Sequence, residues 1–230
     1  MANVVVKNIA CPKCSESTEA KLYMSINATN EPTLRADVLD EKLFKFRCGA
    51  CGHEARLTYP VLYNDMKNRF MVYMIPEVDR FQLEDVELEQ KYERLRGIRK
   101  RLASDFNSFK EKVFIFESGL DDMAVEITKL VISETVAKKY ALPCVEEGYL
   151  SMYDREKNTM GFTFFVGKEH EPYVQSARLE IYGKAVTIVS ELAIKDRKLS
   201  GFIKIDREWA QNVLYRYKRM KQLDLKPQNN

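Results

Sequence analysis

An α+β fold is what this sequence predicts, and three observations predict it. Two Cys-x-x-Cys pairs, Cys11-Pro12-Lys13-Cys14 and Cys48-Gly49-Ala50-Cys51, sit among segments that alternate with a period of two. A stretch of helical spacing runs from about Asn107 to Tyr140, and the last third mixes both periods. The expected organisation is a small β-rich four-cysteine domain over 1–80, a helical connector over 81–145, a C-terminal α/β portion over 146–225 and a frayed tail over 226–230. With 230 residues, 45% hydrophobic and 31% charged, the chain has the make-up of a globular protein of one or two domains. Nine glycines and seven prolines leave little room for long flexible linkers.

The elements follow in order. Asn3 to Ala10 starts as a β-branched run that delivers the chain to the first cysteine pair. From Ala20 to Ala28, Ala20, Leu22, Met24 and Ile26 share one face and Lys21, Tyr23, Ser25 and Asn27 the other, which reads as a half-buried strand. Glu31-Pro32-Thr33-Leu34 opens a turn or short helix through Leu39; Leu43 to Arg47 is a strand into the second pair, and Glu54 to Tyr59 leads out of it. Leu62-Tyr63 and Phe70 to Met74 flank the polar turn 64–69 as a hairpin. Leu83 to Arg96 reads as a charged surface helix, interrupted by Gly97, and 98–103 is open to helix or strand. Asn107 or Ser108 is the expected N-cap of a helix through Phe109, Val113 and Phe116. A second helix runs from about Leu120 to Tyr140, burying Leu120, Met123, Ile127, Leu130, Val131 and Val136. Gly148 to Tyr153 and Met160 to Val166 form another hairpin, Ala177 to Tyr182 a strand, and Lys184 to Lys195 a helix. Phe202 to Ile205 is a short strand, after which Asp206 caps a final helix with Trp209, Val213, Tyr217 and Met220 on one face.

Brought together, Cys11, Cys14, Cys48 and Cys51 supply four thiolates, the usual ligand set of a structural zinc ion. The 33 residues between the pairs exceed the roughly 15–20 of a minimal zinc-binding spacing, which leaves room for strands between two knuckles. Gly52 can take the positive φ that such a turn often needs. Two other readings stand beside zinc: a single Cys-x-x-Cys redox pair, which leaves the second pair unexplained, and two unrelated pairs of buried thiols. A four-thiolate site is closed to water and substrate, so the metal would hold a zinc-ribbon-like fold and do no chemistry. With four thiolates and one Zn2+ counted, the formal charge of +3 becomes about +1, too little to argue for nucleic acid on charge alone.

The order of motifs resembles a known family. Cys-Pro-x-Cys, a second Cys-x-x-Cys-Gly and the hairpin residues Pro60, Leu62, Tyr63 and Asp65 are similar to the CpXC proteins. Asn107, Glu111-Lys112, Leu120-Asp121-Asp122 and Glu126 extend the similarity to about residue 135. Ser15 departs from the glycine often found after the second cysteine of a knuckle. The resemblance implies the fold and the metal, and implies no activity.

Other candidates are weighed against plainer roles. His53 could replace a thiolate, or be a solvated turn residue; His170 lies in a charged loop. Asp121, Asp122 and Glu126 could form a hard-metal or acid/base site, or Asp121 and Asp122 could serve the positive end of a helix dipole. Cys144 reads as a small buried residue. The basic run Arg94, Arg96, Arg99, Lys100 and Arg101, and a second cluster of Arg216, Lys218, Arg219 and Lys221, could meet a phosphate backbone. No HExxH, phosphate-cradling glycine loop or G-x-S-x-G elbow is present. No charge-free apolar run approaches the roughly 18 residues of a membrane span, and the N-terminus lacks the features of a signal peptide. The expectation is a cytoplasmic, non-enzymatic binding, adaptor or regulatory protein stabilised by zinc, with a protein partner and no membrane. The alternative is a DNA- or RNA-binding regulator using the Arg94–Arg101 run.

Overall fold

The computed structural model describes residues 2–78, 82–83, 95, 97–167 and 169–224. The chain forms two compact units, Met1–Lys110 and Glu111–Asn230.

The first unit is built on a sheet that begins with the hairpin of β1 (Asn3–Ala10) and β2 (Ser17–Asn27), paired antiparallel from Ala10 and Ser17 outward. Alternation along β2 buries Leu22 and Ile26, as the period of two requires. Beyond the hairpin, β2 pairs in parallel with β5 (Val61–Asp65) over Ser25–Asn27. Between them lie α1 (Pro32–Leu39), with proline in its first turn, and a separate two-stranded ribbon of β3 (Lys45–Arg47) and β4 (Glu54–Arg56). The hairpin of β5 and β6 (Phe70–Met74) turns where the Asp65 carboxylate accepts from the Asn68 backbone N–H at 3.0 Å and its side-chain amide at 2.6 Å. After the two-residue β7 (Gln82–Leu83) comes β8 (Arg99–Ala103), parallel to β6, so the ambiguous stretch 98–103 is a strand. The sheet order through this unit is β1-β2-β5-β6-β8. Rings hold its core: Phe44 lies 4.4 Å from Phe106 and Tyr63 6.0 Å from Phe109, centroid to centroid.

Helix α2 (Phe106–Glu117) carries the unit boundary. Its cap is Asp105, whose carboxylate accepts from the Ser108 backbone N–H at 2.8 Å, and not the expected Asn107 or Ser108. Asp105 does what those residues were assigned, two or three positions earlier.

In the second unit, α3 (Asp122–Lys139) packs Met123, Ala124, Ile127 and Leu130 against Ala185 and Val189 of α4 (Leu179–Leu192) and Trp209, Ala210 and Val213 of α6 (Arg207–Asp224). A sheet in the order β11-β10-β9 is formed by β9 (Gly148–Asp154), β10 (Thr159–Val166) and β11 (Glu171–Arg178). The short α5 (Ile194–Arg197) and the two-residue β12 (Phe202–Ile203) precede α6, which Asp206 caps through the Trp209 N–H at 3.0 Å. Gly148 faces Phe164 across the β9–β10 pair, and any Cβ there would collide with the Phe164 ring.

Three expectations are corrected. The stretch 81–145 is no separate connector, because α3 supplies the core of the C-terminal unit. Ala177 to Tyr182 is not one strand: β11 stops at Arg178, and Leu179 to Tyr182 opens α4, whose Tyr182, Ala185, Val186 and Val189 face its core. Val131 is exposed, not part of the buried stripe of α3. The helix expected over Leu83–Arg96 lies outside the described residues except at Leu83, which is in β7, and Leu95.

Candidate metal centre

Each cysteine pair sits in the turn of an antiparallel ribbon, Cys11 to Glu16 joining β1 to β2 and Cys48 to His53 joining β3 to β4. The two turns share one hydrogen-bond pattern. The first cysteine N–H donates to the carbonyl five residues on, Cys11 to Glu16 at 2.9 Å and Cys48 to His53 at 2.8 Å. The N–H four residues on returns to the first cysteine carbonyl, Ser15 to Cys11 at 2.8 Å and Gly52 to Cys48 at 3.0 Å. The residue that returns is left-handed in both, with φ 63° at Ser15 and 69° at Gly52. The two knuckles thus repeat one another in backbone geometry.

All four sulfurs lie within 4.8 Å of one another, and none is in a disulfide. The Cys11 and Cys51 Sγ atoms are 3.7 Å apart, and those of Cys14 and Cys48 are 3.6 Å apart. A tetrahedron with sulfurs about 2.3 Å from a central zinc has edges of about 3.8 Å, so the donor set fits a tetrahedral thiophilic ion. These approaches run between knuckles, whereas a redox pair would bring together the two cysteines of one motif. Cys11 and Cys48 are buried and pack with Phe46; Cys14 and Cys51 are exposed.

Donors surround the sulfurs. The Lys13 N–H points at Cys11 Sγ at 3.4 Å, and the Thr18 hydroxyl at Cys48 Sγ at 3.8 Å. The backbone N–H of Cys51 holds the Cys48 thiol down at about 6, helped by the Ala50 N–H and Thr18 and opposed by burial. At Cys14 the Glu16 backbone pulls downward but is outweighed by neighbouring thiols and burial, which push it up to about 12. Cys14 thus resists ionising beside a readily ionised Cys48, and a divalent cation between them would remove that resistance.

A family model described as CpXC protein matches residues 9–129, just over half of the chain, and takes in both knuckles. The chain belongs to the CpXC family. No curated protein and no solved structure matches it.

The CpXC-matched stretch also contains a buried charge network that sequence reasoning missed. Lys112 of α2 lies 3.4 Å from Asp122 and 3.6 Å from Glu126, while Lys129 lies 3.0 Å from Glu126 and 2.9 Å from Glu111. The Leu150 N–H donates to Glu111 at 2.6 Å. Burial raises the Glu126 carboxyl above its ordinary value against the pull of Lys129 and Lys112. At Lys129 burial pulls downward, but Glu111 and Glu126 outweigh it and raise the ammonium. The signal available in sequence was the helical register of Glu111, Lys112, Asp122, Glu126 and Lys129 among apolar residues.

Asp121 and Asp122 have different surroundings. Asp121 caps α3 by accepting from the Met123 N–H at 3.0 Å and the Ala124 N–H at 3.4 Å, and it pairs with Arg197. Asp122 is buried at Lys112. His53 contributes its carbonyl to the knuckle and stands outside the four-ligand set. His170 is exposed, its Nδ1 3.6 Å from a Glu147 carboxylate oxygen. Cys144, expected to be buried, is exposed with its thiol 3.6 Å from the Glu146 carboxylate.

Of the basic run, Arg94 and Arg96 lie outside the described residues. Lys100 and Arg101 are 2% and 8% exposed on β8, with Arg99 half-buried beside them. Lys100 and Arg101, so buried, present no cationic surface, which corrects the expectation for these two alone. Arg216 of the second cluster is 3.6 Å from Asp196. A cationic groove of about 270 Å³ lies instead between β2 and β3, lined by Lys21, Tyr23, Lys42, Lys45 and Arg47, with Glu19 its one acid. Among the described residues, no helix is long and apolar enough to cross a membrane.

Proposed function

We propose that the chain is a cytoplasmic binding module, folded in its first unit around one structural zinc ion held by Cys11, Cys14, Cys48 and Cys51, and that it recognises a protein partner without catalysis. The carrying observation is the mutual approach of four sulfurs from two matched knuckles. Four protein ligands fill a tetrahedral site and leave no position for substrate. Zinc supplies the attraction that lets four thiolates stand together; the knuckle amides orient the sulfurs, and Phe46 shields Cys11 and Cys48 from water. Apparent zinc-binding free energies of about 10–16 kcal/mol in finger peptides match or exceed a domain's stability, so the first unit should unfold without its ion. The test is recovery of tagged protein from native lysate with metal and co-purifying macromolecules measured together. One zinc per chain and a stoichiometric protein partner support the reading; metal-free folded protein contradicts it.

A second reading, a nucleic-acid-binding regulator, is favoured by the β2–β3 groove, which combines four cations with a tyrosine. Four phosphate contacts to a single strand would give log affinity against log salt a slope of about −3. A flat salt titration excludes it.

A further inference from the structure

In the second unit, a cavity of about 410 Å³ opens between the end of α3, the segment 142–145 and α6. Its size is within the roughly 300–1,000 Å³ of small-molecule sites. Leu130, Leu142, Val145 and Leu214 make an apolar wall. Against it stands Arg207, half-buried in the first turn of α6. One guanidinium nitrogen, Nη1, donates to the Val145 carbonyl at 2.8 Å and the Ser133 hydroxyl at 3.2 Å. Both acceptors are neutral, and no carboxylate among the described residues pairs with this cation.

That arrangement is unusual for a half-buried arginine. A charge drawn partly out of water is costly unless an opposite charge meets it, and here the guanidinium is fixed in place without one. Its planar fork suits a carboxylate. Lys138 and Lys218 line the same cavity, with Glu134 its one acid.

The geometry points to a binding site for a small organic anion with an apolar body, a medium-chain monocarboxylate: Arg207 receives the head group and the leucine wall covers the chain. The charge of the lining selects an anion, and the apolar wall selects a tail over a bare ion. The site lies wholly in the second unit and does not depend on the metal reading.

The test is isothermal titration of the full zinc-loaded chain with decanoate below its micellar concentration, beside decanol and inorganic phosphate. Saturable one-site binding of decanoate is expected, at least tenfold tighter than decanol or phosphate. Arg207→Gln should weaken it at least tenfold. Because Arg207 also ties Val145 and Ser133, the exposed pair Lys138→Gln and Lys218→Gln, combined in one chain, serves as a second variant and should weaken binding by two- to fivefold with an unchanged circular dichroism spectrum. The proposal is overturned by absence of saturable decanoate binding, by decanol or phosphate binding as tightly, or by unchanged affinity in the folded lysine variant.

Discussion

Ser15 and Gly52 occupy the same place in two turns of one hydrogen-bond pattern, and substitutions there test the knuckle geometry. Both are left-handed, at φ 63° and 69°. A side chain in that conformation costs about 1–2 kcal/mol, whereas glycine adds unfolded-state entropy that costs about 0.4–1 kcal/mol. The Ser15 hydroxyl makes no hydrogen bond among the described residues, and nothing lies within 4 Å of a Cβ built on Gly52, so packing contributes little at either site. Ser15→Gly should therefore stabilise the metal-loaded protein by about 0.5–1 kcal/mol, and Gly52→Ser should destabilise it by a similar amount. For a unit of this size that is a shift in melting midpoint of about 2–6 °C in opposite directions, with the double exchange close to wild type. Thermal melts of zinc-loaded protein, with competition against a chelator, would read both. Two shifts of the same sign, or none, would refute the argument that the turns are conformational equivalents.

Other outcomes follow from the charge network and the C-terminal sheet. Asp121→Asn keeps a capping oxygen and loses a partly exposed pair with Arg197, so urea melts should register about 0.5 kcal/mol. Asp122→Asn leaves buried Lys112 short of a counter-charge and should cost on the order of 3 kcal/mol; equal effects of the two would contradict the distinction. Gly148→Ala drives a methyl into Phe164 and should lower stability by about 1–3 kcal/mol, an unchanged melt being the opposing result. Because the Glu126 carboxyl is raised in the folded state, its stabilising contribution is complete below the unfolded value near about 4.3 and is lost as pH climbs through the raised one. Wild type should thus lose stability relative to Glu126→Gln from pH 4 to 7, and a constant difference would contradict it.

The parts of this fold legible in the sequence are those governed by neighbours in the chain. Spacing set the two knuckles, and period-two burial of Leu22 and Ile26 set β2. The turns at 64–69 and 154–158 announced their hairpins through polar residues between apolar runs. Where distant residues decide, local signals misled. Leu179 and Ile181 continue the alternation of Ala177, yet the apolar spacing from Tyr182 through Val189 draws them into a helix. Lys100 and Arg101 read as surface charges but lie on a strand paired with β6. Glu111 and Lys129, 18 positions apart, pair inside the second unit; helical register among apolar residues hints at their burial, but local spacing does not name a partner that far along the chain. The cap of α2 is Asp105 where Asn107 or Ser108 was expected, residues of similar capping chemistry two or three positions apart, a difference smaller than propensity can resolve.

The measurement closest to the central claim is zinc-edge X-ray absorption on protein purified without added metal. One ion per chain with a single shell of four sulfurs at about 2.3 Å is the predicted result. Fewer than four sulfurs, nitrogen or oxygen in the first shell, or metal-free protein whose first unit is folded would contradict it.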